Sequence, residues 1–346
     1  MTARWLGWLL ITCAMARADA LKPPADPMPP EAHPDAGVAA TPPPASTDKP
    51  ALDPKDLKSL TADPILGKAD KVDGEEMQGV VAFTFDDGPN PATTPQVIDA
   101  LEKYNVPATF FIVTQRINGK LGAKSREVLA RELADGFLVG SHSVTHPNLG
   151  KGDTKLFDKE IDASIRTLAV QANRPIGLFR PPYGSMNKGG RARLKSLGLT
   201  EVQWSVDTLD WRARDAARLR KKVMTMILKQ HGGVVLMHDV KPITAKVIPQ
   251  VLDDLEAENC RRLAAKEEPI VPVSLHYFLR DKKAARAIPD DVKVRTDAYK
   301  LALPTRCAIR PPPEPPAEKP ADKPTDKASD KPADKSALKN LDKTPQ

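Results

Sequence analysis

The sequence predicts an α/β fold: a distorted (β/α) barrel of about seven parallel strands, flanked by disordered, proline-rich tails. Between residues 78 and 280, short apolar runs alternate with amphipathic stretches of helical periodicity, a pattern typical of parallel strands with helices outside. The apolar runs lack strict apolar–polar alternation, as is usual for strands buried on both faces. No GxGxxG motif follows the first run, which disfavours an open dinucleotide-binding sheet.

Each predicted strand is a run rich in Val, Ile, Leu and Phe that ends in polar or turn-forming residues. In chain order the strands are residues 80–85, 108–113, 137–139, 176–179, 201–206, 234–237 and 270–275. Helical periodicity is found at residues 94–104, 125–134, 155–171, 190–197, 214–230 and 245–258. A helix therefore separates each strand from the next, as crossovers between parallel strands require.

The chain is predicted to begin with an export signal, residues 1–20. Arg4 precedes an apolar run at residues 5–16, and Ala18-Asp19-Ala20 offers small residues at a cleavage site. An uncleaved anchor is the alternative, but a bilayer span needs about 20 apolar residues and this run is shorter. We therefore expect cleavage after Ala20, no stable membrane span, and a secreted, periplasmic or cell-envelope location.

Proline is concentrated in two segments that flank one foldable region. Of the 35 prolines in 346 residues, 10 lie within residues 21–50 and 9 within residues 311–346. Segment 21–60 has few large apolar side chains to offset its ordering entropy. Segment 306–346 repeats lysine at every fourth position with recurrent proline, which excludes a continuous helix. We interpret both segments as disordered and residues 61–305 as the folded domain.

Charge and cysteine content narrow the class of protein. The chain has 52 Lys+Arg and 45 Asp+Glu, a net charge of +7, and the positive charge is scattered. We find no nucleic-acid-reading motif, so a nucleic-acid binder is disfavoured.

Cys13 lies in the signal, which leaves Cys260 and Cys307. A disulfide and two reduced buried thiols stay equally open, because the sequence does not give their Cα distance.

Five of the predicted strands end in residues that can do chemistry. The carboxyl ends of parallel barrel strands share one rim, where active sites lie, so these five ends predict a single pocket. In chain order the residues are Asp86 with Asp87, His142 with His146, Arg180, Asp207 with Asp210, and His238.

His142 and His146 are four residues apart and would share one face if the backbone turned helically there. Pro147 disfavours the α region at His146, which leaves a short turn as the possibility. An isolated HxxxH is more often two surface histidines, but here the carboxylates of Asp86 and Asp87 stand at another strand end. Two imidazoles and one carboxylate with open positions suit a hydrolytic zinc site, and the same set occurs around non-haem iron.

The adjacent carboxylates of Asp86 and Asp87 favour a division of roles. Neighbouring residues of a regular strand point to opposite faces, but the turn at Gly88-Pro89 lets both face the rim. One carboxylate can then bind the metal while the other takes a proton from water. A solvated Asp-Gly turn is the alternative, and the buried apolar run before it weighs against that.

His238 is the candidate acid for the leaving group, because imidazole titrates in the useful pH range. Asp210 or Asp207 would raise its basicity through a hydrogen bond. Arg180 would orient the second aspartate, and the alternative role for Arg180 is a structural ion pair.

Five motifs occur in order along the chain: Thr84-Phe-Asp-Asp-Gly-Pro89, His142-Ser-Val-Thr-His146, Arg180-Pro-Pro-Tyr-Gly184, Asp207-Thr-Leu-Asp-Trp211 and Leu236-Met-His-Asp239. Together they resemble the polysaccharide deacetylase family with the NodB-homology domain, carbohydrate esterase family 4. The segment Ala108-Thr-Phe-Phe111 also resembles the family's second strand. The resemblance covers residues 78–280, and only residues 112–115, where many relatives carry glycine, depart from it.

The resemblance implies a distorted (β/α) barrel that removes acetyl groups from sugars with a divalent metal, zinc in the first instance and cobalt as the alternative. It implies that Asp87, His142 and His146 hold the metal. The other implied roles are Asp86 as general base, His238 as general acid, Arg180 steadying Asp86, Asp210 tuning His238, the Tyr183 backbone N–H at the oxyanion, and Trp211 and Leu236 walling the acetyl methyl pocket.

The expected function is therefore hydrolysis of the N-acetyl groups of GlcNAc-type glycans, peptidoglycan or a chitin-like polymer, to free amine and acetate. An O-acetyl esterase on acetylated xylan is the closest alternative. A non-catalytic glycan-binding wall protein is a second one, which the intact pair Asp86 and His238 disfavours. A hydrolase of small cyclic amides is a third, and the export signal and spacers disfavour it.

Overall fold

The computed structural model describes residues 52–120 and 122–310. The predicted export signal, most of the predicted linker and most of the predicted tail lie outside the described residues. In the part of the chain that is described, no helix combines the length and the apolar character needed to cross a bilayer.

The predicted parallel sheet is confirmed. Its strands are β1 Val80–Asp86, β2 Ala108–Ile112, β3 Leu138–Ser141, β4 Leu178–Phe179, β5 Thr200–Glu201, β6 Val206–Asp207, β7 Gly232–His238 and β8 Val271–Pro272. They pair in the order β5-β4-β3-β2-β1-β7-β6, with β8 beside the start of β1, and every pair is parallel. Because β5 and β6 are parts of one stretch of chain, the sheet curls as seven parallel strands, and the predicted fold class is confirmed.

The strand predicted at residues 201–206 is split, and the split brings the two ends of the sheet onto one segment. β5 pairs with β4, whereas β6 pairs with β7. Between them Val202 bridges Val72, the Gln203 amide donates to the Val72 carbonyl, and the Ser205 hydroxyl donates to the Gly74 carbonyl. An upstream segment therefore satisfies the backbone groups that the split would otherwise leave unpaired.

The helices cover the outside of the sheet. They are α1 Leu57–Leu60, α2 Thr94–Lys103, α3 Ala123–Ala134, α4 Thr154–Phe157, α5 Ala163–Ala172, α6 Lys188–Leu197, α7 Ala216–Gln230, α8 Pro242–Ala264 and α9 Asp290–Ile309. One π-helical turn, Asp158–Asp162, joins α4 to α5, so the helix predicted at 155–171 is continuous but not uniform. α9 and the hairpin of β9 Arg280–Asp281 and β10 Ala284–Ala285 were not predicted, and α9 continues past residue 305.

The apolar core lies on both faces of the sheet, and a disulfide fastens α8 to α9. Phe83, Phe85 and Phe110 are fully buried. The rings of Phe85 and Phe110 stack with centroids 5.4 Å apart. Cys260 in α8 and Cys307 in α9 are bonded, with their Cα atoms 5.3 Å apart. Of the two alternatives for these cysteines, a disulfide and two reduced thiols, the structure contains the disulfide. It links residues that are 47 positions apart along the chain.

Candidate active site

The carboxyl ends of the strands bring the sequence-predicted residues to one rim. Asp86 is the last residue of β1, and in the strand register it lies beside His238, the last residue of β7. His142 follows directly after β3, and Arg180 follows directly after β4. The His142 amide donates to the Ile112 carbonyl of β2, which ties the first histidine to the sheet.

Asp87, His142 and His146 form one cluster. A ligand atom from each of the three lies within 4.8 Å of the others. Asp87 Oδ1 is 3.4 Å from His146 Nε2 and 3.8 Å from His142 Nε2. Asp87 itself has φ 74°, a left-handed conformation rare outside glycine. Because the backbone leaves the strand conformation at Asp87, the side chains of Asp86 and Asp87 need not point to opposite faces, as neighbouring residues of a regular strand do.

The two histidines meet through a turn rather than a helix. Ser143 has φ 69° and His146 has φ 63°, so a helical turn over His142–His146 is wrong. The ring centroids are nevertheless 4.9 Å apart. Pro147 agrees with the conformation of His146, since proline disfavours the α region for the residue before it, and φ of His146 is positive.

The three side chains fit a divalent metal by their chemistry. His142 Nδ1 lies 2.7 Å from the Arg180 carbonyl, so this nitrogen donates its proton and leaves Nε2 as the lone pair that faces Asp87. Burial and the neighbouring His142 lower the pKa of His146, which favours the neutral imidazole that binds metal. Two imidazoles and one carboxylate with room for further ligands match hydrolytic zinc sites.

Asp86 is buried and paired with a buried arginine. Arg180 Nη1 donates to Asp86 Oδ1 at 2.8 Å and to the Thr84 hydroxyl at 2.7 Å. The guanidinium also lies 4.1 Å from the centre of the Phe111 ring. Burial by itself would raise the pKa of Asp86, but the charge and hydrogen bond of Arg180, with the charge of His238, outweigh it and hold the pKa below its usual value. Asp86 is therefore an ionised carboxylate next to the metal cluster, 3.5 Å from His142 Nε2.

His238 is held by Asp210 and not by Asp207. Asp210 Oδ1 lies 2.7 Å from His238 Nδ1, and Asp210 Oδ2 accepts from the His238 amide and from the Thr244 hydroxyl. Asp207 instead accepts from the Leu209 amide. Burial lowers the pKa of His238, but the Asp210 hydrogen bond and charge raise it to about 9. The imidazole is thus protonated at neutral pH, with Nε2 unused by this pairing.

Of the residues expected at the substrate, Tyr183 contacts the cluster, Trp211 follows Asp210 in the chain, and Leu236 lies in β7 two residues before His238. Tyr183 sits in the turn Pro182–Gly184 with φ 59°, and its ring centroid is 4.6 Å from that of His146. The side chains of Tyr183 and Trp211 are exposed, 66% and 53%, whereas Leu236 is buried. An exposed aromatic ring offers a large, rigid apolar face with a polar tip, which suits contact with a sugar ring.

The sequence reasoning missed Glu160, which holds the histidine turn. Glu160 is buried in the π-helical turn between α4 and α5. Its Oε2 accepts from the amides of Val144 (3.0 Å) and Thr145 (2.8 Å), and its Oε1 accepts from the Thr145 hydroxyl (2.7 Å). A π-helical turn often marks a functional region, but a single sequence does not reveal which helix residue reaches back to a loop.

We expect Glu160→Leu to weaken metal binding without replacing a ligand. A leucine side chain cannot accept the hydrogen bonds from the Val144 and Thr145 amides, so the turn that presents His146 should loosen. Loss of such an outer contact typically lowers metal affinity about 10- to 100-fold. Zinc affinity measured by competition with a chromophoric chelator checks this, and the same change at the exposed Glu127 of α3, Glu127→Leu, is the control. Wild-type zinc affinity in Glu160→Leu would show that the turn keeps its conformation without Glu160.

Asp239 is the last residue of the motif Leu236-Met-His-Asp239, and the sequence by itself assigns it no role. Its side chain is buried and accepts a hydrogen bond from the Thr94 hydroxyl at the start of α2. Burial raises its pKa to about 7. Gly88 lies against this carboxylate so closely that a β-carbon there would overlap it. Asp239 therefore explains why the turn after Asp87 needs glycine.

Comparisons with known proteins show which family the chain is similar to. The family model for polysaccharide deacetylase matches residues 73–202. A peptidoglycan-N-acetylglucosamine deacetylase, PgdA, of Listeria monocytogenes is 35% identical over 219 residues, which is 60% of this chain and 45% of the relative, so the chain spans less than half of that protein. A peptidoglycan-N-acetylmuramic acid deacetylase, PdaC, of Bacillus subtilis is 35% identical over 193 residues, 55% of this chain and 38% of the relative.

Two further proteins are matched over most of their own length. A chitooligosaccharide deacetylase of a Bradyrhizobium species is 36% identical over 165 residues, 47% of this chain and 71% of the relative. The crystal structure of the Bc1960 peptidoglycan N-acetylglucosamine deacetylase superposes with a TM-score of 0.50 at 28% identity, over 55% of this chain and 88% of that one. The chain therefore belongs to the polysaccharide deacetylase family.

Proposed function

We propose that this protein is a metal-dependent deacetylase that hydrolyses the N-acetyl groups of GlcNAc-type glycans to free amine and acetate. One observation carries the proposal. A single rim holds an ionised buried carboxylate, Asp86, a protonated imidazole, His238, and next to Asp86 a cluster of three residues suited to a divalent metal. A base, an acid and a site for an electrophile are the parts that amide hydrolysis needs.

Asp87, His142 and His146 would hold the metal, with zinc as the expected ion and cobalt as the alternative. When bound, a divalent ion supplies Lewis-acid polarisation of the acetyl carbonyl and makes water a better nucleophile near neutral pH. Asp86 accepts the proton as water attacks the carbonyl carbon. Arg180 keeps Asp86 ionised and fixes the direction of its carboxylate through the 2.8 Å hydrogen bond.

His238 completes the reaction by protonating the departing amine, which a neutral imidazole could not do. Asp210 keeps that proton on the ring and orients it. The Tyr183 backbone N–H would donate to the oxyanion of the tetrahedral intermediate, and the left-handed backbone there is consistent with a constrained role. Leu236 and Trp211 would enclose the acetyl methyl group.

The names of the relatives support a bacterial wall glycan or a chitin-like oligomer as the substrate class, and the predicted export signal would place the enzyme where a wall glycan is found. The test is acetate release by the zinc-loaded full chain from chitooligosaccharides and from peptidoglycan. Acetyl-xylan in parallel separates an O-acetyl esterase. Glycan binding without acetate release, with zinc or cobalt supplied, would favour a binding protein and overturn the proposal.

The pH dependence of the reaction should follow His238. Since its pKa is raised to about 9 by Asp210, with Asp86 and Asp87 adding to the effect, the acid is charged below that value and is lost as pH rises through it. A bound cation repels the imidazolium, so we expect the alkaline limb of kcat/KM at or below pH 9. Asp210→Asn should move that limb more than one pH unit lower. An unmoved limb would contradict the assignment of His238.

A further inference from the structure

A cavity of about 390 Å³ lies beside the metal cluster, and a permanent positive charge lies on its wall. The cavity is lined by Asp87, Val113, Gln115, Arg116, Thr145 and His146. A guanidinium stays protonated throughout the working pH range and offers a planar fork of donors. Two proposed metal ligands, Asp87 and His146, and one permanently charged side chain, Arg116, therefore line the same cavity.

The turn that carries Arg116 is fastened to both metal-binding loops. Arg116 lies in the 3₁₀ turn Thr114–Ile117, which follows β2. Three consecutive backbone amides make the connections: Val113 to the Gly88 carbonyl (3.1 Å), Thr114 to the Ser143 carbonyl (3.1 Å) and Gln115 to the Val144 carbonyl (3.0 Å). One loop carries Asp87 and the other carries His146. The backbone of Arg116 is therefore fixed relative to the reacting centre, unlike that of an ordinary surface arginine.

Within residues 52–120 and 122–310, no carboxylate lies within ion-pair distance of Arg116, although its charge acts at longer range on the buried Asp239. Exposed arginines such as Arg214 and Arg218 also lack an ion pair there, and Arg116 differs from them by its place on the cavity wall. Its side chain is exposed at the cavity. A guanidinium in a cavity of this kind is matched by a carboxylate, which it can bind through two parallel hydrogen bonds. A carboxylate that pairs with Arg116 is therefore expected on the substrate.

We propose that Arg116 selects acetylated glycans that carry a carboxylate next to the reacting acetamido group. This inference rests on the proposed deacetylase function and adds a substrate class to it. The lactyl ether of muramic acid has this chemistry, because its carboxylate is carried by an ether substituent on the ring carbon adjacent to the acetamido carbon. In an alternating strand, the same carboxylate also lies on the sugar next to an N-acetylglucosamine. Neutral chitin-like oligomers lack it.

The test measures kcat/KM for acetate release by the zinc-loaded full chain on three substrates. These are chitotetraose, peptidoglycan strands stripped of their peptides, and the same strands after amidation of their carboxyl groups. We expect the wild type to prefer the acidic strands over the amidated ones. Arg116→Gln should lower that preference about 10- to 100-fold, the range for loss of one charged hydrogen bond. Lys124→Gln, which removes an exposed charge on α3, should not lower it.

The outcomes separate the inference from the function it rests on. Equal preference in wild type and Arg116→Gln, with acetate still released, overturns the role of Arg116 and leaves the deacetylase standing. No acetate from any of the three substrates overturns both. Binding of the acidic strands to Asp86→Asn, compared with the double variant that also carries Arg116→Gln, gives a readout that does not need turnover. Mass spectrometry of the product disaccharides then shows whether the carboxylate is on the reacting sugar or on its neighbour.

Discussion

Replacing Asp86 with asparagine should abolish acetate release while the metal content stays at the wild-type level. Asparagine has the same shape and can still accept from Arg180, but it cannot take a proton from water. Loss of a general base typically lowers the rate about 10²- to 10⁴-fold, and we expect kcat to fall within this range. Zinc content of the purified variant and steady-state acetate release, measured on the same sample, check the two halves of the prediction.

The replacement also removes the counter-ion of a buried arginine, so folding must be measured together with activity. Breaking a buried ion pair on one side costs about 3–5 kcal/mol. We therefore expect a lower Tm for Asp86→Asn, with metal still bound. Asp207→Asn is the matched control, since it makes the same chemical change on the same rim at a carboxylate whose hydrogen bond within the described residues comes from the Leu209 amide. Near-wild-type turnover in Asp86→Asn would assign the base to another residue.

The parts of the site that the sequence predicts are those encoded locally. Asp86, Arg180 and His238 each follow directly after a buried apolar run, and in a parallel sheet that position alone brings them to one rim. The strand register then sets Asp86 beside His238 without any further information. The same reasoning predicts most strands to within a few residues, because buried apolar runs with polar ends are strong signals.

The parts that the sequence does not predict depend on contacts between distant segments. Glu160 bonds to a turn about 15 residues upstream, and the split of the predicted strand at 201–206 depends on the segment at Val72–Gly74. Asp207 and Asp210 are the same residue type, one and four residues beyond the predicted strand end, and the sequence does not choose between them. In the structure the chain passes through a left-handed residue at Leu209, and Asp210 is the one that reaches His238.

Replacing His146 with asparagine should remove the metal, and the chain offers an unusually close control for it. His146 and His231 both have left-handed backbones, with φ 63° and 54°, a conformation that asparagine tolerates well. His231→Asn therefore removes an imidazole outside the site, and it places asparagine in the same left-handed backbone conformation as His146→Asn does. We expect His146→Asn to lose at least about 100-fold in zinc affinity, a loss of a direct ligand being no smaller than the loss of an outer contact.

Thermal unfolding gives a measure of this loss that does not depend on turnover. Zinc at 100 times its Kd stabilises the folded chain by about 2.7 kcal/mol, so the wild type and His231→Asn should both show a higher Tm with zinc than after chelation. His146→Asn should show almost no difference. A zinc-dependent rise in Tm equal to that of His231→Asn would mean that His146 is not a ligand. The proposed mechanism, with Asp86 as base and His238 as acid, would then need a different centre.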